Sequence, residues 1–268
     1  MWTKDLFGTE KPVIGMLHLA ALPTDPGYDQ NGGVQAVLDR AREDLHALQD
    51  GGIDAVLFCN EFSIPYVTDV RVVTVASMAR IIGELKSEIK VPFGVDVAMD
   101  PYKCFDLAAA TGASFVRESL FGAYAGDYGI TVYEMGEIER HRADVGCRNT
   151  YTLATLVPEG ARQIAERDIE DIARSVTFAV APSALLVYGN NAGATVDTSL
   201  IERAAKAVDT PIFASNGVKA NTVADILSIA DGCVVGTWLK YDGKFYNKVD
   251  VSRVKELMAN ARKARGEE

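Results

Sequence analysis

The chain has 268 residues, 48% hydrophobic and 24% charged, with 27 basic against 37 acidic side chains and a formal net charge of −10. That length suits one large domain that buries roughly three quarters of its unfolded surface without disulfides. The acidic balance, with no basic block to offset it, excludes nucleic acid and anionic membranes as natural partners, and no run approaches the ~18 apolar residues of a membrane span.

The opening MWTKDLFGTEKP contains no apolar leader, so a cytoplasmic protein without membrane insertion is expected. Cys59, Cys104, Cys147 and Cys233 are scattered with no CxxC spacing, which reads as reduced thiols rather than zinc ligands or a disulfide framework.

Short apolar runs alternate with amphipathic segments along the whole length. A strand at Val13 to Leu19 precedes a helix at Gly33 to Asp50, and Gly51-Gly52 ends that helix before a strand at Ala55 to Cys59. Next come a helix at Val73 to Ile89, a strand at Phe93 to Ala98 entered through Pro92, a helix at Tyr102 to Thr111, and a strand at Phe115 to Ser119. A helix at Val132 to Asp144, a strand at Thr150 to Leu156, a helix at Asp168 to Val180 and a strand at Ala184 to Tyr188 continue the pattern. It finishes with a helix at Asp197 to Val208, a strand at Ile212 to Ser215, a helix at Asn221 to Ile229, a strand at Gly232 to Val235 and a helix at Val251 to Ala264. Repeated βα units of this number predict an α/β fold, a single-domain (β/α)8 TIM barrel over 1–268. The alternative, an open doubly wound sheet, asks for GxGxxG after the first strand, and Gly15-Met16-Leu17-His18 does not supply it.

In such a barrel the chemistry lies at the C-terminal strand ends. Within Phe93-Gly94-Val95-Asp96-Val97 the bulky residues share one parity and face the helices, which leaves Gly94 and Asp96 facing the barrel axis. A carboxylate is expensive to bury alone, so Asp96 reads as a catalytic or binding group, or as the ion-pair partner of Arg117 on the neighbouring strand. Glu61 and Glu118 are candidate partners whose repulsion with Asp96 would raise one pKa and create an acid and a base. Adjacent strand residues point to opposite faces, so Asn60 and Glu61, or Arg117 and Glu118, share the interior only where the strand has ended. His18, at the first strand's end, has the type of a general acid or base; His46 and His141 fall in helices and read as surface residues. One strand-end histidine is too few for a multi-histidine metal site. Mg²⁺ or Mn²⁺ on Asp96 and Glu118 with substrate oxygens stays open, and no organic cofactor is expected.

The segment from Pro211 to Lys240 places Gly217 and Gly236 after the last two strands, where backbone N–H groups of barrels converge on phosphate. Both glycines also fit the plainer role of turn residues. On the phosphate reading, Lys219, Thr237 and Lys240 assist, while Asn60, Arg117, Asn190, Asn191 and Asn216 orient the rest of a small substrate. No proposed strand carries a lysine, which argues against a Schiff-base aldolase, and GxSxG and P-loop motifs are absent.

Val13-Ile14-Gly15-Met16-Leu17-His18-Leu19 with Leu22-Pro23, Asn60-Glu61-Phe62 with Pro65, Pro92-Phe93-Gly94-Val95-Asp96 and Gly112-Ala113-Ser114-Phe115-Val116-Arg117 resemble, in order, segments of the BtpA/SgcQ family. Asp127-Tyr128-Gly129-Ile130 and Ala230-Asp231-Gly232-Cys233-Val234-Val235-Gly236-Thr237 extend the likeness over nearly the whole chain. Asn60 to Tyr66 and Phe121 to Ala125 bring it closest to the SgcQ branch. The resemblance implies a TIM barrel; one branch is associated with photosystem I biogenesis and the SgcQ branch with sugar uptake and catabolism. Leu153-Ala154-Thr155-Leu156 stands where many members carry Lys-His-Ala, and Gly189-Asn190-Asn191-Ala192-Gly193 where a Thr-Gly pair is common.

Three functions follow as expectations: an enzyme acting on a phosphorylated sugar (isomerase, epimerase or carbon–carbon lyase), a nucleoside or phosphoribosyl-type glycosidic-bond enzyme, and a non-catalytic assembly factor. A homo-oligomer is the default expectation for such a barrel.

Overall fold

Strands buried on both faces and separated by amphipathic helices have one economical solution, and the computed structural model adopts it: a closed barrel. Residues 1–189 and 197–267 are described; Asn190 and Asn191, two of the expected substrate residues, lie outside them. In chain order the elements begin α1 (Trp2–Phe7), β1 (Val13–His18), α2 (Gly33–Asp50), β2 (Ala55–Cys59), α3 (Val72–Leu85), β3 (Phe93–Asp96), α4 (Pro101–Thr111) and β4 (Phe115–Glu118). Then follow β5 (Gly122–Gly126), β6 (Gly129–Tyr133), α5 (Met135–Asp144), β7 (Tyr151–Thr155), β8 (Ala161–Gln163), α6 (Ile169–Val180) and β9 (Ala184–Tyr188). The last are α7 (Thr198–Ala207), β10 (Ile212–Ser215), α8 (Val223–Ile229), β11 (Gly232–Val235), short 3-10 turns at Thr237–Leu239 and Tyr241–Gly243, and α9 (Val251–Arg265).

The parallel barrel runs β1-β11-β10-β9-β7-β4-β3-β2, closing on β1. Side-chain alternation divides the core in two. Val13, Leu17, Phe58, Val95 and Val116 pack outward against the helices, while Ile14, Met16, Leu57, Phe115, Leu153 and Phe213 fill the interior. Gly94 makes room inside: a Cβ there would lie 2.3 Å from the Phe115 ring. Register then levels the polar ends, with His18 opposite Cys59 and Cys59 opposite Asp96.

Local chemistry explains several boundaries. Asp100 caps α4 by accepting the Lys103 N–H, Pro101 takes the first turn where no N–H is needed, and Gly112 closes the helix in the left-handed region at φ 69°.

Two features lie outside the simple repeat. Helix α1 plugs the N-terminal end of the barrel: Trp2 stacks on Tyr151 at 4.7 Å between ring centroids, and Phe7 meets Phe115 edge-on at 5.6 Å. At the opposite end β6, β5 and β8 form a three-stranded antiparallel sheet. Gly129 at φ 92° turns the β5–β6 hairpin, and Ile130-Thr131-Val132-Tyr133 alternates exposed and buried as a half-buried strand does. The helix expected from Val132 therefore starts only at Met135, because Val132 and Tyr133 belong to β6.

Candidate active site at the barrel mouth

The C-terminal strand ends and the antiparallel sheet enclose a cavity of about 700 Å³. Met16, His18, Glu61, Asp96, Arg117 and Glu118 line it, together with Asn216 to Lys219, Gly236 to Trp238, Gly126 to Gly129 and Pro158 to Ala161. Ten candidates chosen from the sequence meet in this space: His18, Glu61, Asp96, Arg117, Glu118, Asn216, Gly217, Lys219, Gly236 and Thr237.

Arg117 organises the deep end. Its guanidinium is ion-paired with Asp96 through Oδ2, lies 3.8 Å from Glu61 Oε2, and rests against Met16 Sδ at 3.4 Å. Asp96 is thus both the axial carboxylate expected from strand parity and the partner of Arg117; its other oxygen, Oδ1, is buried without a hydrogen bond among the described residues. Burial raises the Asp96 carboxyl above its ordinary range against the pull of Arg117.

Glu118 reaches the same space because β4 ends there. Its Oε2 accepts the Met99 N–H at 2.8 Å and its Oε1 the Ser119 N–H at 2.6 Å. Burial, and then the negative charge of Asp96, hold this carboxyl well above the usual range. Glu61 goes the other way: burial raises it, but the charge His18 carries when protonated, then Arg117, the Cys59 thiol donating at 3.0 Å and Lys240 bring it below its ordinary value. Two carboxyls in one cavity are therefore pushed apart, which is how one site holds a base and an acid together.

His18 is 2% exposed, and among the described residues neither ring nitrogen has a partner. Burial drives its pKa down to about 3, so the imidazole is neutral. Gly236 is glycine for a steric reason: a Cβ there would sit 2.7 Å from His18 Nε2 and 3.2 Å from Met16 Sδ. Across the cavity Asn216 and Gly217 both take positive φ, 65° and 66°, turning the backbone inward after β10. Among the described residues, no backbone acceptor meets the N–H groups of Gly217, Val218 or Gly236.

Two expected site residues face elsewhere. Asn60 is buried, does not line the cavity, and ties strand ends together by accepting the Ala98 N–H at 2.8 Å. Lys240 is fully buried; its ammonium lies 4.6 Å from the Phe62 ring centroid and donates to the Phe245 carbonyl at 2.7 Å. Burial lowers it to about 8. Lys219 is the loop lysine that lines the cavity.

Glu159, which no expectation named, lines the cavity beside the turn after β10, accepting from Asn216 Nδ2 at 2.9 Å while Asn216 Oδ1 accepts the Gly189 N–H. Burial raises its carboxyl. Tyr188, pushed up to about 12 by burial, and Tyr66, whose hydroxyl donates to the Glu61 carbonyl, complete the wall. For a divalent cation, Asp96, Cys104 and Glu118 bring one donor atom each within 4.8 Å of one another. Cys104 is the addition to the pair expected from the sequence. Among the described residues no helix is long and apolar enough to cross a membrane.

A closed eightfold barrel with a polar cavity at its C-terminal mouth defines the class as TIM-barrel-like. The chain belongs to the BtpA family, whose model matches residues 9–263. It is 50% identical over 258 residues to the sgc region protein SgcQ of Escherichia coli K12, covering 96% of each chain. It is 27% identical over 266 residues to the photosystem I biogenesis protein BtpA of Synechocystis, covering 97% of this chain and 92% of that one. Among solved structures, a Mycobacterium tuberculosis tryptophan synthase chain superposes with a TM-score of 0.60 at 15% identity, covering 94% of this chain and 93% of its own. The phosphoribosylanthranilate isomerase of Thermotoga maritima gives 0.58 at 15% identity, with 94% and 99% covered. These two likenesses establish the fold.

Proposed function

We propose that the protein is an enzyme that moves a proton on a phosphorylated sugar, as an isomerase, epimerase or carbon–carbon lyase. The observation that carries this reading is the meeting, in one cavity, of the inward-turned backbone at Gly217 and the glycine at Gly236 with two carboxyls whose pKa values are pushed apart, Glu61 and Glu118.

In this scheme the backbone of Gly217, Val218 and Gly236, helped by Lys219, holds the phosphate and so fixes the sugar against the deep end. Glu61, ionised near neutrality, takes a proton from a carbon next to a carbonyl. Glu118, kept protonated, returns one to the developing oxyanion or neighbouring carbon. Arg117 stabilises negative charge as it builds, and neutral His18 orients a hydroxyl. The names of barrels similar in fold, a phosphoribosylanthranilate isomerase among them, are in keeping with a phosphorylated ligand.

The test is NMR of pentose and hexose phosphates in deuterated buffer with the purified protein. Wash-in of deuterium at a carbon beside the carbonyl is expected, and it should vanish in Glu61→Gln. Absence of both exchange and binding across the panel would overturn the proposal.

A further inference from the structure

The deep end of the cavity is short of donors. Among the described residues, Asp96 Oδ1 is buried with no hydrogen bond, both nitrogens of His18 are buried and unpartnered, and Glu61 has a thiol at 3.0 Å and a guanidinium only at 3.8 Å. Arg117 is committed to Asp96 Oδ2. Neutral His18 has one nitrogen that accepts and one that donates, so it adds a further acceptor without adding positive charge. The ammonium of Lys240 acts on Glu61 from behind but is fixed on the Phe245 carbonyl.

Unsatisfied buried acceptors are costly, and a site that leaves them so is built for the donors its ligand brings. A sugar hydroxyl supplies one donor; an ammonium supplies three, with the charge that two carboxylates sharing one guanidinium leave uncovered. Resting on the phosphosugar reading above, we infer that the substrate is an amino sugar phosphate, its ammonium held by Asp96 Oδ1 and Glu61, the two carboxylates that share Arg117. Gly236, where a Cβ would lie 2.7 Å from His18 Nε2, keeps the backbone after β11 close against the deep end of the cavity.

Titration calorimetry at neutral pH on matched pairs tests this: each pentose or hexose phosphate against its amino-deoxy counterpart, with Mg²⁺ or with EDTA. The amino member is expected to bind about tenfold tighter, a difference of ~1.4 kcal/mol. Asp96→Asn and Glu61→Gln should erase the preference while inorganic phosphate still binds, and Lys219→Ala should weaken both members equally. Equal binding within every pair would overturn the amine and leave the phosphate reading standing. A preference abolished by Mg²⁺, because the hydroxyl member then binds as tightly, would also overturn it by assigning the missing charge to a cation. Binding by neither member of any pair would remove the phosphosugar reading itself.

Discussion

Arg117→Met tests the electrostatic organisation of the site. The substitution keeps much of the buried side-chain volume against Met16 and Tyr188 but removes the counter-ion of Asp96 and the nearest cation to Glu61. Breaking a buried ion pair from one side costs about 3–5 kcal/mol, because the remaining charge is left uncompensated. For a large domain each kcal/mol lowers Tm by roughly 2–4 °C, so a fall on the order of 10 °C is expected near pH 8. Burial already holds Asp96 above its unfolded value, and loss of Arg117 raises it further. A carboxyl with a raised folded pKa contributes its full stability below the unfolded value, about 4, and loses it as pH rises through the folded value. The gap between wild type and variant should therefore be wide at pH 8 and narrow toward pH 4.5. Thermal denaturation followed by circular dichroism measures both, and Arg117→Met/Asp96→Asn should recover most of the loss at pH 8. A gap independent of pH, with no recovery in the double variant, would show that Arg117 acts through packing and refute the charge argument.

Gly236→Ala introduces a methyl 2.7 Å from His18 Nε2, and at φ −120° the cost is steric rather than conformational. A loss of about 1–3 kcal/mol in stability is expected from urea melts, with weakened phosphate binding by calorimetry. The two loop lysines should separate: Lys219→Ala lowers phosphate affinity about tenfold with Tm unchanged, whereas Lys240→Ala lowers Tm, because Lys240 is buried between rings and a carbonyl. Trp2→Ala removes the ring stacked on Tyr151 and should cost about 2–3 kcal/mol in chemical denaturation without altering ligand affinity, since α1 seals the end opposite the cavity.

The barrel was legible because its strands are buried on both faces, which leaves uninterrupted apolar runs between glycines and prolines. Helix α1 was not, since six residues are too few to show a period, and its role depends on the open end beneath Tyr151 and Phe115. β6 was absorbed into the following helix because one strand of alternation at Gly129–Tyr133 runs straight into the pattern of α5. Within the site, Asp96 was found by parity, which holds as long as the strand does. At a strand end parity fails: Glu118 enters the cavity beside its neighbour Arg117, whereas Asn60 follows parity out to the Ala98 N–H, and Lys240 follows a backbone pinned by its bridge to Val249. Glu159 lies four residues past β7, and only its contact with Asn216 brings it to the cavity. The run Thr155-Leu156-Val157-Pro158-Glu159-Gly160 does carry a signal, an acidic residue between two turn formers after a strand end.

The antiparallel sheet connects these observations. Burial is the largest influence raising Asp96, Glu118 and Glu159, and the segments at Gly126–Gly129 and Pro158–Ala161 line the same cavity. Thr131 and Tyr133, on the inner side of β6, line the cavity too, and Tyr133 lies close enough to Glu118 for that charge to raise its own phenol. An eight-stranded barrel alone leaves its C-terminal mouth open to water, where carboxyls titrate near their ordinary values. Adding β5, β6 and β8 takes water away from one end of the cavity, which favours the protonated form of Glu118 while Glu61, nearer Arg117, keeps its charge. On the proposed reading, the separation of acid from base draws on the cover as well as on the barrel. The insertion after β4, the part least regular in the sequence, helps to set the chemistry that the regular part positions.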